Sequence, residues 1–280
     1  MNISREILYN LSLRQYIFFM NLYYYICANK KKKYYQFLSQ DELRLTRRSD
    51  TVFICGCGYS LNYLSEKDWD TISQHDTVGT NWFVKQKFVR LDYQIFSELM
   101  GREDSFDPKK VQASFERYRN EITKKCNANA ILIKLDQINA MWANRIIAEK
   151  YLPQGRNIFG YKDYRGKFQP PSSQMDFLVH GPSSLILALN FVYTMNWKRI
   201  IFLGVDLYDR RYFWLSFNET RDIDQLRHAK YNQKHNTSDK VLTFINQWIP
   251  YFKEKKIKLY VQNPKSLLTR IIPVIDISTL

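Results

Sequence analysis

Four cysteines in 280 residues supply no disulfide framework. Cys27, Cys55, Cys57 and Cys126 lack paired spacing; Cys55-Gly-Cys57 misses the two-residue spacer of a redox or zinc pair, and no histidine cluster completes it. They read as structural thiols in a reducing compartment. A secretory signal is also missing. Ile7 to Ala28 is poor in charge, but the basic run Lys30-Lys31-Lys32-Lys33 follows it, the reverse of a signal peptide's order. Its longest uninterrupted part, Tyr16 to Ala28, is 13 residues with Asn21 inside, short of the ~20 that a spanning helix needs. His-Glu-x-x-His, Walker and EF-hand patterns are absent, so no resident metal or cofactor is implied. Neither Ser183 nor Ser184 sits in a Gly-x-Ser-x-Gly elbow, which leaves a hydrolase unsupported. Asp222-Ile-Asp224 has the form of a metal-binding Asp-x-Asp but lies in a charged irregular segment, and is set aside. The chain has no internal repeat and no low-complexity linker.

What is present is a chain for a folded domain. It is 45% hydrophobic and 25% charged, which excludes a disordered polar protein. Aromatics reach 16%, suiting both core packing and sugar stacking. The net charge of +15 is concentrated at the ends: residues 1–50 hold nine Lys/Arg against four acids, and residues 221–280 hold eleven against five. Basic ends suit an anionic surface near both termini, or a solvated basic face. No recognised nucleic-acid module accompanies the charge, so nucleic acid is not an expected partner. Tyr23 to Tyr25 followed by four lysines suits a membrane–water interface; the same segment can also pack as an aromatic helix on the globular body.

Short apolar runs at Thr51–Cys55, Thr77–Thr80, Val89–Phe96, Ala130–Leu135, Arg199–Leu203 and Ile257–Val261 predict strands buried on both faces. Helical segments are expected over Lys109–Lys125, Gln137–Lys150, Ser183–Asn196 and Asp239–Lys255, and Ser39-Gln-Asp-Glu42 predicts a capping box opening a short helix. The alternation predicts an α/β fold with a parallel sheet and helices on both faces. Pro153 to Pro171 is the most loop-like stretch, and residues 207–237 form an irregular insertion, lid-like over the carboxyl edge of the sheet. The division is an aromatic and basic N-terminal segment, 1–48, and a main domain, 49–280.

Four elements can carry chemistry. Gly56-Cys57-Gly58-Tyr59-Ser60 follows a strand and has the form of a phosphate cradle, although Leu61 stands where a dinucleotide fingerprint wants a third glycine. Gly181-Pro-Ser183-Ser184 opens an apolar helix, as an anion site or a plain N-cap. The strand ending Gly204-Val-Asp206-Leu-Tyr208 delivers a carboxylate and a phenol to the sheet edge; Asp206 can bind ribose or sugar hydroxyls or cap the next turn, and Tyr208 and Tyr212 can donate to a departing phosphate. His235, in Lys234-His-Asn-Thr-Ser-Asp239, is a general base near neutral pH or a solvated loop histidine.

In this order the elements resemble the bacterial sialyltransferases of glycosyltransferase family 42. Gly56 to Leu61 is similar to the family's Gly-x-Gly-x-Ser-Leu loop, Asn81 to its Asn after the second strand, and Ser183-Ser184 to its Thr/Ser-Ser pair. Ile201-Phe-Leu-Gly-Val-Asp206-Leu-Tyr208, His235, and Lys258-Leu-Tyr-Val-Gln-Asn-Pro264-Lys-Ser266-Leu-Leu268 resemble the remaining blocks, over about residues 51–270. Cys57 stands where the family carries a nucleotide-binding Asn, Tyr59 where Pro is usual, and Leu185 where Gly is usual. The resemblance implies a Rossmann-like GT-A variant with a lid. It would transfer sialic acid or a related sugar acid, such as Kdo, from a CMP-activated donor to a glycan or glycolipid hydroxyl, with inversion and without metal. His235 would be the base, Tyr208 and Tyr212 the leaving-group donors, and Gly56, Cys57, Gly58, Ser60, Asn81, Ser183, Ser184, Gly204 and Asp206 the substrate and nucleotide contacts. The expected location is cytoplasmic and peripheral at the inner membrane face, working on a surface glycan such as lipooligosaccharide or capsule, with a homo-oligomer open. The rival readings are a pterin diphosphokinase-like enzyme that uses ATP and Mg²⁺, and a non-catalytic membrane-binding module.

Overall fold

The computed structural model describes residues 13–97, 116, 119–122, 125–135, 141–166, 168–208, 211–215 and 237–280. In chain order the main elements are α1 (Leu13–Lys31), β1 (Gln36–Phe37), α2 (Gln40–Leu45), β2 (Thr51–Cys55), α3 (Glu66–Ser73), β3 (Asp76–Thr80), β4 (Tyr93–Phe96), β5 (Ala130–Lys134), α4 (Met141–Ala148), β6 (Asn157–Tyr164), β7 (Phe177–Val179), α5 (Ser184–Met195), β8 (Arg199–Leu203), α6 (Thr237–Glu254) and β9 (Lys258–Val261). The strands form one nine-stranded sheet in the order β1-β6-β5-β4-β3-β2-β8-β9, with β7 paired to the far end of β6. Every pairing is parallel.

The sheet is buried on both sides because its strands alternate two apolar sets. Val52, Ile54, Val78, Tyr93, Ile95 and Leu132 pack with α5 and α6, while Phe53, Cys55, Phe96, Ile131, Ile133 and Ile201 pack with α3 and α4 on the opposite face. Helix α5 is buried without a break from Leu185 to Met195, as a helix with apolar residues on every side must be, and its polar Asn190 and Thr194 are hydrogen-bonded inside. It stops at Asn196, whose left-handed backbone (φ 60°) ends the helix.

The parallel α/β architecture matches the expectation, as do the strands at 51–55 and 199–203 and the capping box at Ser39, where Glu42 N–H donates to Ser39 Oγ at 3.2 Å and Ser39 N–H to Glu42 Oε2 at 2.7 Å. The loop reading of Pro153–Pro171 is corrected: β6 occupies eight of those residues and is an interior strand between β1 and β5. Of the expected helix at Lys109–Lys125, residues 116, 119–122 and 125 are helical. Helix α1 packs on α4, where Tyr24 OH donates to Glu149 Oε1 at 2.9 Å beneath the Arg145 guanidinium. β1, which follows it, pairs with β6, so the N-terminal segment contributes a strand to the main sheet. No helix among the described residues is long and apolar enough to cross a membrane.

The amino edge of the sheet is held by buried carboxylates. Asp76 is fully buried and accepts from the Arg48 amide at 3.1 Å, the Ser49 amide at 3.0 Å and the Trp197 indole N–H at 2.8 Å. Next to it, Asp92 accepts from Arg48 Nη2 at 2.8 Å and from the Thr77 amide at 3.0 Å. Removing one acceptor strands several buried donors. Asp76→Ala should therefore lower the unfolding free energy by about 3 kcal/mol in urea titrations, with Asp76→Asn recovering part of the loss. An unchanged midpoint in Asp76→Ala would show that the cluster does not hold the edge.

Candidate functional site

The chain runs from β2 through β6 in one direction across the sheet, then returns to place β8 on the other side of β2. The β2/β8 boundary is thus the switch point, where open parallel sheets leave a crevice beyond their carboxyl ends. The loops that leave these two strands are the glycine loop, 56–60, and the Gly204–Tyr208 segment.

They touch along their backbones. Gly56 N–H donates to Leu203 O at 2.8 Å and Gly58 N–H to Gly204 O at 2.7 Å. A Cβ on Gly56 would fall 2.4 Å from Gly204 O, and one on Gly58 would fall 2.4 Å from Asp206 Oδ2. Gly204 itself has φ +58°, a conformation that favours glycine. The glycines therefore serve the close approach of two strand ends. Asp206, 3% exposed, locks the contact: its carboxylate accepts from Ser60 N–H at 3.1 Å, from Ser60 Oγ–H, and from Asn263 Nδ2 at 2.8 Å. The backbone amides of Gly56, Gly58 and Ser60 are consumed in this way. Among the described residues, nothing accepts from the amide of Cys57, which remains for an anion at the loop, whereas the Gly58–Tyr212 bridge engages the Tyr59 amide. Burial pushes the Cys57 thiol up to about 12, which keeps it neutral and makes it a poor nucleophile.

Three further motif residues join this cluster. Tyr208 is exposed, and its hydroxyl accepts from Asn263 Nδ2 at 3.4 Å. Tyr212 forms an antiparallel bridge with Gly58 and stacks on Trp214 with ring centroids 4.5 Å apart and planes 4° apart. Phe213 N–H donates to Cys57 O at 3.2 Å. Around them lie cations over aromatic faces: Arg211 is 4.4 Å from the Tyr59 ring, and Lys85 is 4.8 Å from that of Trp214. The rim of the crevice is therefore both basic and aromatic. Asn81 stands at the end of β3 with a left-handed backbone (φ 44°), and its Oδ1 accepts from the Ser97 amide at the end of β4 at 2.9 Å.

Ser183 and Ser184 begin α5, which follows β7 and packs on β2 and β3. Ser183 is the N-cap by position but makes no capping bond with its side chain. Beside them lies a polar cluster that sequence inspection missed. Lys134 Nζ and Arg165 Nε each contact the Asp163 carboxylate at 2.8 Å. Burial opposes ionisation there, but the hydrogen bond and charge of Lys134, with those of Arg165, hold Asp163 below the usual carboxylate range. Next to this pair, burial and then the Arg165 charge push His180 down to about 4. Asn263 was also missed as a contact, although its block was quoted. His235 and most of the proposed lid, residues 209–210 and 216–236, lie outside the described residues.

No family model and no curated protein matches the chain. Among solved structures it is similar to the sialyltransferase CstII from Campylobacter jejuni in complex with the substrate analogue CMP-3FNeuAc, at 15% identity over 81% of this chain and 87% of that one, with a TM-score of 0.41. It is also similar to the monofunctional alpha-2,3-sialyltransferase Cst-I from Campylobacter jejuni, at 11% identity over 86% and 83%, with a TM-score of 0.42.

The tight loop contact makes a direct test. Gly58→Ala should lower stability by about 2 kcal/mol, because its methyl group meets the Asp206 carboxylate and the Gly204 carbonyl. Chemical denaturation measures it, and a wild-type midpoint would mean that the loops are not held this closely.

Proposed function

We propose that the chain is a glycosyltransferase of the sialyltransferase type, transferring sialic acid or a related sugar acid from a CMP-activated donor to a glycan hydroxyl with inversion. The observation that carries this reading is convergence at the switch point. Residues 56–60, 204–208, 211–214 and 263, separate in sequence, meet there through the Asp206 carboxylate, the Gly58–Tyr212 bridge and the Asn263–Tyr208 hydrogen bond. The available amide of Cys57, with Arg211 and Lys85 nearby, suits a phosphate, and the aromatic rim suits a base or sugar ring.

In the proposed reaction the acceptor oxygen attacks the anomeric carbon as the bond to the CMP phosphate breaks. His235 takes the hydroxyl proton, and CMP leaves with its new charge hydrogen-bonded by Tyr208 and Tyr212. Asp206 serves as a positioning residue, since its carboxylate is occupied by Ser60 and Asn263. Neither a metal nor another cofactor has a role in this scheme.

Calorimetric titration without metal should show CMP binding more tightly than UMP, GMP or ATP. His235→Ala should keep that binding and lose transfer by a factor of about 100 or more, the range of a general base. Silence with CMP and binding of ATP only with Mg²⁺ would replace this reading with the diphosphokinase-like one.

The same proposal places the enzyme at an anionic membrane surface through α1. One face of α1, carrying Asn21, Tyr24 and Ala28, is buried against the body, while Phe18, Phe19, Tyr23 and Ile26 are about half exposed on the other. Exposed Lys30 continues that outer face, and Lys31 to Lys33 follow. Apolar rings flanked by lysines match the acyl boundary and headgroups of an anionic leaflet. The protein should co-sediment with phosphatidylserine-containing vesicles and not with pure phosphatidylcholine. Replacing Phe18, Phe19 and Ile26 by Ser should abolish this, and retained binding would refute the role of α1.

A further inference from the structure

The amino edge of the sheet, opposite the switch point, carries a cleft of about 640 Å³, within the roughly 300–1,000 Å³ that ligand sites occupy. Its walls come from three parts of the chain. α2 and the turn after it supply Arg44 and Arg47, the end of α5 and the turn into β8 supply Asn196 and Lys198, and the residue after α6 supplies Lys255. Arg44, Asn196 and Lys198 are exposed, so the cleft is open to solvent. Lys198 directly precedes β8 and Gly204 directly follows it, which sets the cleft roughly 20 Å, the rise of that length of strand, from the glycine contact at the switch point. Four cations line the cleft and no described carboxylate does. The buried acids of this edge, Asp76 and Asp92, serve Arg48 and backbone amides and stand outside it.

A helix end attracts cations without any ligand, because its last carbonyls carry partial negative charge. Arg47 meets that need here. Its Nη1 donates to Asn196 O at 3.0 Å and Met195 O at 3.4 Å, its Nε donates to Ser49 O at 2.8 Å, and its Nη2 pairs with Asp50. The other three cations are placed differently. Neither Lys198 nor Lys255 meets a carboxylate within ion-pair reach among the described residues. Lys255 Nζ lies 3.8 Å from the centroid of the Tyr193 ring, which fixes a part-buried amine at the cleft wall. Burial and then the Arg44 charge lower the Lys255 pKa; Glu254 opposes this and Lys198 adds to it. Arg44 contacts Asp41 at 3.2 Å, but that carboxylate is 90% exposed, and such a pair is worth little in water. Three cations thus face one space with no acid set between them, and an anion seated there would relieve their repulsion. The exposed side chain of Asn196 adds amide N–H donors to the same wall.

We infer that Arg44, Lys198 and Lys255, with the Asn196 amide, form a second binding site, for clustered phosphate groups that are either free or carried on lipid headgroups. A guanidinium and lysine amines are strong partners for phosphate oxygens, and three cations around a cleft of this volume match more than one phosphate. The inference is independent of the glycosyltransferase reading. Calorimetric titration of the full chain with tripolyphosphate, in low salt and with excess CMP present, tests it. Saturable binding that weakens as salt is added is expected. Replacing Lys198 by Ala and Lys255 by Met together should weaken it by about tenfold or more, as loss of close charge partners does. The methionine keeps an unbranched side chain on Tyr193, so the melting temperature should hold. Lys258→Ala, at an exposed lysine of the same edge outside the cleft, should leave binding as it is. Sedimentation with phosphatidic-acid vesicles assigns the source. Reduced sedimentation of the double variant identifies lipid phosphate, and unchanged sedimentation beside weakened tripolyphosphate binding identifies a soluble one. Binding of neither probe by wild type, no change of either in the double variant, or an equal loss in Lys258→Ala overturns the inference.

Discussion

The carboxylate of Asp206 is the constraint on which the candidate site depends. It is buried at the end of β8, yet it bonds to a residue of the β2 loop and to another beyond β9. One side chain therefore fixes three segments that leave adjacent strands. The contact is possible only because Gly56 and Gly58 lack a Cβ and Gly204 takes a left-handed turn, so the glycines and the acid are parts of one device. Ser60, Tyr208 and Tyr212 have defined positions because that device is closed. A buried polar network of this kind is stable only when complete, since a partner removed leaves the others unpaired in a low-dielectric setting.

The sheet separates two uses of buried charge. At its amino edge Asp76 and Asp92 are saturated by backbone amides, an indole and Arg48, and their donors leave them no room for a ligand. At its carboxyl edge the charged and polar groups are less fully matched: the Cys57 amide of the glycine loop, the His180 nitrogen and the Ser183 hydroxyl have no partner among the described residues. The same chain satisfies polar groups where it needs rigidity and leaves some open where a parallel sheet places its ligands. That contrast supports the functional assignment more directly than the basic net charge does.

The legible parts of the molecule were those with a local cause. Strand β2 and the part of β8 after Arg199 are β-branched and apolar runs, α5 is mostly apolar, and the Ser39/Glu42 capping box depends on residues three apart. β6 was missed because Gly160, Lys162 and Asp163 interrupt its apolar pattern; the Asp163 charge is matched by Lys134 and Arg165, and neither partner marks a strand. β1 and β7 have two and three residues, too short for any period to show. The glycine loop was recognisable as a turn, but its reason was not, because the atoms that forbid a side chain come from residues about 150 positions later. His180 had no signature at all. Its surroundings are made by β5, β6 and the start of α5, and only the fold assembles them.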